Sequence, residues 1–401
     1  MSSRDWRKAL RSPPAYRVGN RTFKIQTQYV TMIAIVGVIV IILLYTSVSS
    51  RSAETLVTYG LNNEMSRDAH IKYSSCVNNV IYNSTYPLTL PAPTLHGIKY
   101  RIGIISDMDK LSKSPDEPYT WISHYRKGYL TWNRSMTPAI SIFWDEGPPK
   151  ILKTKYSEKG RGMELSELIV FNGKLLSFDD RTGIVYEIDD DGKSIPWVIL
   201  IDGNGHTDKG FKSEWATVKD GWLYVGGMGK EWTTASGQFV NTHPMWVKRI
   251  SPLGFIEHED WHNRYIQLRA LVDVHFPGYM IHESGVWSPI HKKWFFLPRR
   301  MSKEKYDENI DERMATNIMI IADENFTNFE VKHIGHVIPT HGFSSFKFIP
   351  GSNDQAIVAL KSEEDQGKIA TYIMAFTIQG EILYPETKIS DSMKFEGIEF
   401  V

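Results

Sequence analysis

Glu214-Trp-Ala-Thr-Val-Lys-Asp-Gly-Trp-Leu-Tyr-Val225 is the stretch of sequence that decides the fold. An acidic residue stands at the start of an apolar strand, an Asp-Gly turn follows, and a second apolar strand runs back. The same plan, with a small or acidic first residue, occurs in the segments that begin at Ser166, Glu283 and Ser345. A fifth start, at Glu396, opens the final strand. The chain therefore carries an irregular repeat with five members.

Successive starts are 48 to 69 residues apart, a length that suits one four-stranded propeller blade of ~40–50 residues plus its loops. The repeat predicts an all-β fold, a five-bladed β-propeller. Only one strand follows Glu396, so we expect the strands from Tyr100 onward to complete that blade and remove its exposed edge. A large sandwich with accidental similarity between turns is the alternative.

Short apolar runs broken by Gly, Asn, Asp and Pro predict strands throughout this region. They are Tyr100–Ser106, Leu168–Phe171, Lys174–Phe178, Trp222–Gly226, Trp294–Leu297, Gln355–Leu360, Thr371–Thr377 and Phe395–Val401. One stretch, Trp261–Val272, predicts a helix, because Tyr265, Leu268 and Val272 fall on one helical face.

The N-terminal part predicts a membrane anchor. Residues 29–48 are apolar and uncharged, and twenty residues at ~1.5 Å each span a bilayer core of ~30 Å. Seven basic residues and a single acid precede them, which predicts a cytosolic N-terminus and a translocated body. A cleaved signal peptide is the alternative, although its apolar core is ordinarily only ~7–15 residues long.

These observations predict four segments: a cytosolic tail (1–28), a transmembrane signal-anchor (29–48), a luminal stem (49–85) and the propeller domain (86–401). Cleavage in the stem would release a soluble form. The only cysteine, Cys76, lies in the stem, so no disulfide can form within the chain, and pairing between chains stays open.

The charge balance of the chain limits which binding partners the sequence predicts, and short motifs predict where it could be glycosylated. The chain has 46 basic and 46 acidic residues, a balance that disfavours a nucleic-acid partner. Asn83, Asn133 and Asn325 begin Asn-X-Ser/Thr motifs and are glycosylation acceptors if they face the lumen. Asn20 begins another, but on the cytosolic side it should stay unmodified.

If the five strand starts line a central channel, Glu214, Glu283, Glu396, Ser166 and Ser345 converge there. Three carboxylates and two neutral oxygens, together with water, suit calcium, which takes ~6–8 oxygen ligands. Neither thiolate nor imidazole joins them, which disfavours zinc and copper. The alternative is that each is an ordinary turn residue.

Several longer motifs carry a resemblance to a known family. They are Arg161–Ser166, Asp179–Gly183, Lys209–Trp215, Leu297–Arg300, Pro339–Phe346 and Phe395–Glu399. In these motifs the chain resembles the calcium-activated nucleotidase (apyrase) family over about residues 86–401. The resemblance implies a five-bladed propeller with Ca²⁺ in the central tunnel and ligands at the five positions named above. It also implies release of phosphate from nucleoside di- and triphosphates, UDP and GDP especially, and a calcium-dependent homodimer.

Phosphate hydrolysis needs cations for the phosphoryl group and a carboxylate for the attacking water. The candidate phosphate-binding residues, which lie in or beside the motifs, are Arg161, Arg181, Lys212, Arg299 and Arg300. The candidates that would direct water are Asp107, Asp109 and Asp180. Surface salt bridges and turn caps are the alternative roles for these residues.

Other function classes remain as alternatives. Asp107-Met-Asp109 is a D-x-D motif, which a metal-dependent glycosyltransferase would use, but the alternating strands and helices of such enzymes are missing. His258-Glu-Asp-Trp-His262 matches H-E-x-x-H, which a zinc protease places on one helix. A non-catalytic propeller stabilised by calcium is the third alternative. The loop 202–208 is not an EF-hand, since Ser213 occupies the bidentate position.

A luminal nucleotidase would meet plentiful calcium and the UDP that glycosyltransferases release. We therefore expect a single-pass protein of the Golgi or endoplasmic reticulum membrane that supports glycosylation and proteoglycan synthesis.

Overall fold

The computed structural model describes residues 15–18, 21–24, 82–133, 135 and 138–401. The chain divides into two compact units, residues 1–79 and 80–401. In the first, β1 (Ala15–Val18) and β2 (Arg21–Lys24) form an antiparallel hairpin. The predicted anchor at residues 29–48 lies outside the described residues. Among those that are described, no helix is long and apolar enough to cross a membrane.

The second unit begins its sheet structure with five strands. They are β3 (Ala92–Thr94), β4 (Gly97–Ser106), β5 (Trp121–Trp132), β6 (Ile140–Trp144) and β7 (Lys150–Thr154). A 3₁₀ turn follows β4 at Asp109–Ser112. Because β6 and β7 pair with successive halves of β5, they act together as one outer strand.

The next two blades each contain four strands. Blade 1 runs from inside to outside as β8 (Leu165–Phe171), β9 (Lys174–Asp179), β10 (Ile184–Ile188) and β11 (Ser194–Ile199). Blade 2 consists of β12 (Trp215–Lys219), β13 (Trp222–Gly226), β16 (Trp246–Ile250) and β17 (Ile256–Asp260). Between β13 and β16 lie a separate hairpin, β14 (Trp232–Thr233) and β15 (Phe239–Asn241), and a 3₁₀ turn at His243–Met245.

Two further blades follow, with the helix α1 (His262–Ala270) before them. Blade 3 consists of β18 (Tyr279–Ser288), β19 (Lys293–Ser302), β20 (Ile318–Asp323) and β21 (Phe329–His333), with the short helix α2 (Glu308–Asp311) between β19 and β20. Blade 4 consists of β22 (His341–Phe348), β23 (Ala356–Asp365), β24 (Lys368–Thr377) and β25 (Ile382–Ser390).

The last strand closes the ring, as the repeat predicted. β26 (Phe395–Phe400) pairs with β4 in antiparallel register, and the fifth blade has the order β26-β4-β5-β6. The chain is therefore a five-bladed propeller whose fifth blade combines its first and last strands. All eight predicted strands lie in β4, β8, β9, β13, β19, β23, β24 and β26, apart from end residues that fall just outside two of them.

Alternation of side chains along each strand builds the core between blades. In β8, Leu168 and Val170 pack toward the fifth blade, while Ile169 and Phe171 pack toward blade 2. Equivalent buried clusters lie between blades 2 and 3, 3 and 4, and 4 and 5. Each blade thus buries both faces, which fixes the innermost strands around the axis.

The predicted helix is confirmed as α1, where Tyr265 and Leu268 are fully buried. The position of α1 also shows that the hypothesis of a zinc protease with an H-E-x-x-H helix was wrong. His258 lies in strand β17, and His262 begins α1, so the two imidazoles do not share a helical face. The end of the predicted stem contacts the propeller, since the centroid of the Tyr82 ring lies 5.7 Å from that of Phe171.

Candidate active site

The five innermost strands, β8, β12, β18, β22 and β26, contact one another in a ring. In four of them the ladder register shifts at or beside the predicted ligand: Ser166, Glu283, Ser345 and Glu396. A β-bulge of this kind frees main-chain groups and re-aims side chains, and it is common next to active sites. Four of the five innermost strands thus depart from regular pairing at the propeller axis.

A cavity of about 780 Å³ opens at one end of this ring. It is lined mainly by charged side chains from all five blades. Those that the sequence predicted are Asp107, Asp109, Asp180, Arg161, Lys212, Arg299, Arg300, Glu214, Glu283 and Glu396. Ten of the thirteen predicted site residues thus come together, although they span nearly three hundred positions of the chain.

The three predicted carboxylate ligands each contact a cation. Lys212 Nζ lies 2.7 Å from Glu214. Arg299 uses one terminal nitrogen to contact Glu283 and to donate to Glu396 at 2.8 Å. Burial raises the pKa of Glu214 to about 8 and also raises the pKa of Glu283. These carboxylates therefore lie where negative charge is costly and a nearby cation is favoured.

Ser166 and Ser345 are buried, and neither is among the residues that line the cavity. Ser166 Oγ donates to the carbonyl of Ser213 at 2.6 Å, and Ser345 Oγ donates to Glu167 Oε1 at 2.8 Å. Each hydroxyl hydrogen is thus used within the protein. Ligation of a metal ion by oxygen atoms of these two residues stays a prediction.

The candidate water-directing carboxylates differ in environment. Burial raises the pKa of Asp107 well above its ordinary value. Burial acts in the same direction on Asp109, but Lys394 outweighs it and lowers the pKa of that carboxyl. Asp180 contacts Lys212 through one oxygen, and its other oxygen is buried without a hydrogen-bond partner among the described residues. Asp107 therefore has a more basic carboxylate than Asp109. Asp180 has one oxygen that remains available to accept a hydrogen bond.

The predicted phosphate-binding cations fall into two groups. Lys212, Arg161, Arg299 and Arg300 line the cavity, whereas Arg181 does not. The main-chain N–H of Arg181 caps Asp179, a role typical of a turn residue. That hydrogen bond joins the main chain of Arg181 to the Asp179 side chain, so phosphate binding by the Arg181 guanidinium stays a prediction.

Comparison of the chain with known proteins identifies its family. Residues 108–401 match the family model described as Apyrase. Soluble calcium-activated nucleotidase 1 from Rattus norvegicus is 55% identical over 320 residues, which cover 80% of this chain and 78% of that protein. The chain belongs to the apyrase family. Within it, Apyrase from Cimex lectularius is 49% identical over 80% of this chain and 87% of that protein, and Apyrase apy-1 from Caenorhabditis elegans is 47% identical over 75% and 84%.

The charged network at the cavity also includes residues that the sequence analysis missed. Lys394 lies within 3.5 Å of carboxylates of Asp107, Asp109, Glu364 and Glu396. Glu164, whose pKa burial raises to about 7, could have been found, because it stands inside the quoted Arg161–Ser166 motif. Glu364 accepts from Arg299 at 2.9 Å and from Arg300 at 3.2 Å, and no local signal marked it.

Proposed function

We propose that this apyrase is a calcium-dependent hydrolase that releases phosphate from nucleoside di- and triphosphates, with UDP and GDP preferred. One observation carries the proposal: a single cavity joins the carboxylates of Glu214, Glu283 and Glu396, from blades 2, 3 and 5, to four cationic side chains, those of Lys212, Arg299, Arg300 and Arg161. A site for a metal–diphosphate complex needs both kinds of group, oxygen ligands for the ion and cations for the phosphate oxygens.

The donor set fits calcium. Glu214, Glu283 and Glu396 offer hard carboxylate oxygens, and bulged main chain at Ser166 and Ser345 can add carbonyl oxygens. Each carboxylate has about four lone-pair positions, so contact with Lys212 or Arg299 does not exhaust it. Two of the relatives are named calcium-activated, which supports the same ion. When bound, calcium would polarise the phosphoryl oxygens and offset charge that develops in the transition state.

The residues of the chain supply the remaining chemistry. Arg299 and Arg300 present planar, forked donors that can hold phosphate oxygens in a fixed orientation. Asp107 or Asp180 accepts a proton from water as the water oxygen attacks the terminal phosphorus. The bond from that phosphorus to the bridging oxygen breaks, and a nucleoside monophosphate and inorganic phosphate leave a diphosphate substrate. Burial favours this role for Asp107, because a raised pKa makes its carboxylate a better base.

Location and assembly belong to the same proposal. A luminal body, anchored by residues 29–48, would remove UDP left by glycosyltransferases in the Golgi or endoplasmic reticulum, and a calcium-dependent homodimer would form there. Protease protection of the body in sealed vesicles and a mobility shift on deglycosylation at Asn83, Asn133 or Asn325 test the orientation. Digestion of the body in intact vesicles would overturn it.

Phosphate release from UDP, GDP, ADP and ATP, measured with calcium and with magnesium, tests the activity. We expect rapid release from UDP and GDP with calcium, and a loss of at least 100-fold in Glu396→Gln, because that variant removes one charged ligand. Glu330→Gln, at a surface pair with Lys332, is the matched control and should keep full activity.

Two outcomes would replace the proposal. Calcium binding without any phosphate release would indicate a non-catalytic propeller. Consumption of a UDP-sugar only when an acceptor is present would indicate a glycosyltransferase.

A further inference from the structure

A buried pair of opposite charges lies beside the predicted calcium ligands and has no part in the proposed function. Glu167 follows the ligand position Ser166 in β8, and Lys347 lies in β22 of blade 4. Lys347 Nζ is 3.1 Å from Glu167 Oε2, and both residues are almost completely buried. Neither is among the residues that line the cavity.

The carboxylate of Glu167 fixes the second serine position. Its Oε1 accepts from Ser345 Oγ at 2.8 Å and from the main-chain N–H of Leu168 at 2.9 Å. Ser345 Oγ in turn accepts from the N–H of Ile398 at 3.3 Å. One carboxylate therefore ties together β8, β22 and β26, the innermost strands of blades 1, 4 and 5.

Because Gly397 has no side chain, the Glu167 side chain can extend from blade 1 to blade 4. A Cβ atom at this position would lie 2.6 Å from Leu168 N and 2.7 Å from Glu167 Cα, closer than non-bonded atoms approach. The main chain of β8 thus packs directly on β26, and the Glu167 side chain can extend from blade 1 to Ser345 in blade 4. Any side chain at 397 would push these strands apart.

The hydrogen bond to Ser345 is made where β22 is least constrained. The register between β22 and β23 shifts between Phe343 and Ser345, so the ladder alone does not define the main chain there. Lys347, two residues further along β22, balances the charge of Glu167, because an unpaired carboxylate at this depth would be strongly unfavourable.

We propose that Glu167 and Lys347 are positioning residues for the calcium site. By holding the hydroxyl of Ser345, Glu167 would fix the bulged main chain beside the calcium site, and Lys347 holds the Glu167 carboxylate in place through their contact. The proposal rests on the calcium-dependent function given above. Partners of metal ligands commonly change metal affinity by 10- to 100-fold.

Two double variants test this positioning role. They differ only in whether the side chain at position 167 keeps an oxygen that can accept a hydrogen bond from Ser345. Glu167→Gln/Lys347→Met removes both charges but keeps an amide oxygen that can accept from Ser345. Glu167→Ala/Lys347→Met removes both charges and the acceptor. The calcium Kd is measured by isothermal titration without nucleotide, and UDP hydrolysis is followed against calcium concentration.

We expect the Gln double variant to bind calcium within about threefold of wild type and the Ala double variant to bind it 10- to 100-fold more weakly. Activity of the Ala variant should recover at saturating calcium to within about twofold. Lys361→Met is the matched control: Lys361 is equally buried in blade 4 and pairs with Glu386, and its loss should leave the calcium Kd unchanged.

Equal calcium affinities in the two double variants would overturn the positioning role. Tighter calcium binding in the Ala variant would also overturn it, because it would show that a freed Ser345 hydroxyl is itself a ligand. A wild-type protein that hydrolyses UDP but shows no calcium binding would also overturn it. Wild-type protein with neither activity nor calcium binding would instead overturn the proposed function on which this inference rests.

Discussion

Lys394 lies beside four carboxylates, one more than the number of N–H donors on its ammonium. Its ammonium is 2.7 Å from Asp109 and 3.0 Å from Glu364, with Asp107 and Glu396 slightly further away. Those neighbours raise the pKa of Lys394 well above its ordinary value in spite of its burial, which acts in the other direction. Together with Arg161 and Arg299, which contact carboxylates of the same group, Lys394 offsets the negative charge on the acidic side of the cavity.

Lys394→Met should therefore be costly, and calcium should offset part of the cost. Among the described ion pairs Asp107 would lose its only cation, whereas Asp109, Glu364 and Glu396 each keep an arginine. Leaving a buried carboxylate unpaired destabilises a protein by about 3–5 kcal/mol, and a bound divalent cation would replace some of the missing positive charge. Urea unfolding with chelator and with millimolar calcium measures both effects. Lys219→Met is the control, since its partners Asp220 and Glu324 are solvent-exposed. Equal destabilisation with and without calcium would contradict the expectation.

Individual site residues were predictable only where chemistry and local pattern coincide. Glu214 and Glu396 stand at strand starts of a repeat, so their convergence follows from the architecture. Lys394 lies beside Glu396 but acts on Asp109, 285 residues earlier in the chain, and no pattern connects the two. Ser345 was found as a position, but the use of its hydroxyl depends on Glu167, which only the packed structure brings near.

At the scale of elements, the loop 201–209 is held to blade 2 by a buried lysine. Lys248 in β16 is fully buried, donates to the carbonyl of Gly203 and lies 3.1 Å from His258 Nδ1. Burial lowers the pKa of Lys248 to about 8, against ~10.4 in an unfolded chain. No carboxylate contacts its ammonium among the ion pairs of the described residues. The fold therefore carries an almost unpaired buried charge at neutral pH.

This predicts an unusual pH dependence. Between pH ~8 and ~10.4 the unfolded chain holds a proton on Lys248 that the folded chain has released, so this residue's contribution makes stability rise with pH. Lys248→Met should be more stable than wild type at pH 7, by at most about 3 kcal/mol, and the difference should shrink by pH 10. Urea unfolding at pH 7 to 10 measures it, with Lys174→Met at a surface pair as control. A constant or widening difference would contradict it.

Whole elements were more predictable than single contacts, for a physical reason. The innermost strands are buried on both faces, so their apolar residues are visible as runs such as Leu168–Phe171. The hairpin of β14 and β15 and the four-residue helix α2 carry no such pattern, because they are short and depend on each other: Glu308 N donates to the carbonyl of Ala235. They nevertheless form part of the cavity wall.

At the scale of the whole molecule, one ion would connect most of the ring. The three carboxylates come from blades 2, 3 and 5, so bound calcium stabilises the folded propeller as a unit. At 100 times its Kd, a ligand adds about 2.7 kcal/mol. Chelation should therefore lower the midpoint of one cooperative thermal transition, measured by calorimetry, and Glu396→Gln should be insensitive to chelator. Separate transitions that respond differently to chelator would argue for independently stable blades.

Ring closure depends on β26, which pairs with β4 and contains Glu396. Lys394 immediately precedes this strand. Without residues 394–401, β4 would present an unpaired apolar edge, a form prone to association with other chains. We expect the truncated protein to lose its sharp unfolding transition and near-ultraviolet circular dichroism, and a synthetic peptide of residues 391–401 to restore both in part. Full-length Glu396→Gln is the control, because it loses the same carboxylate but keeps the strand. A truncated protein that unfolds as sharply as this control, at the same temperature, would show that four blades hold the ring without the fifth being closed.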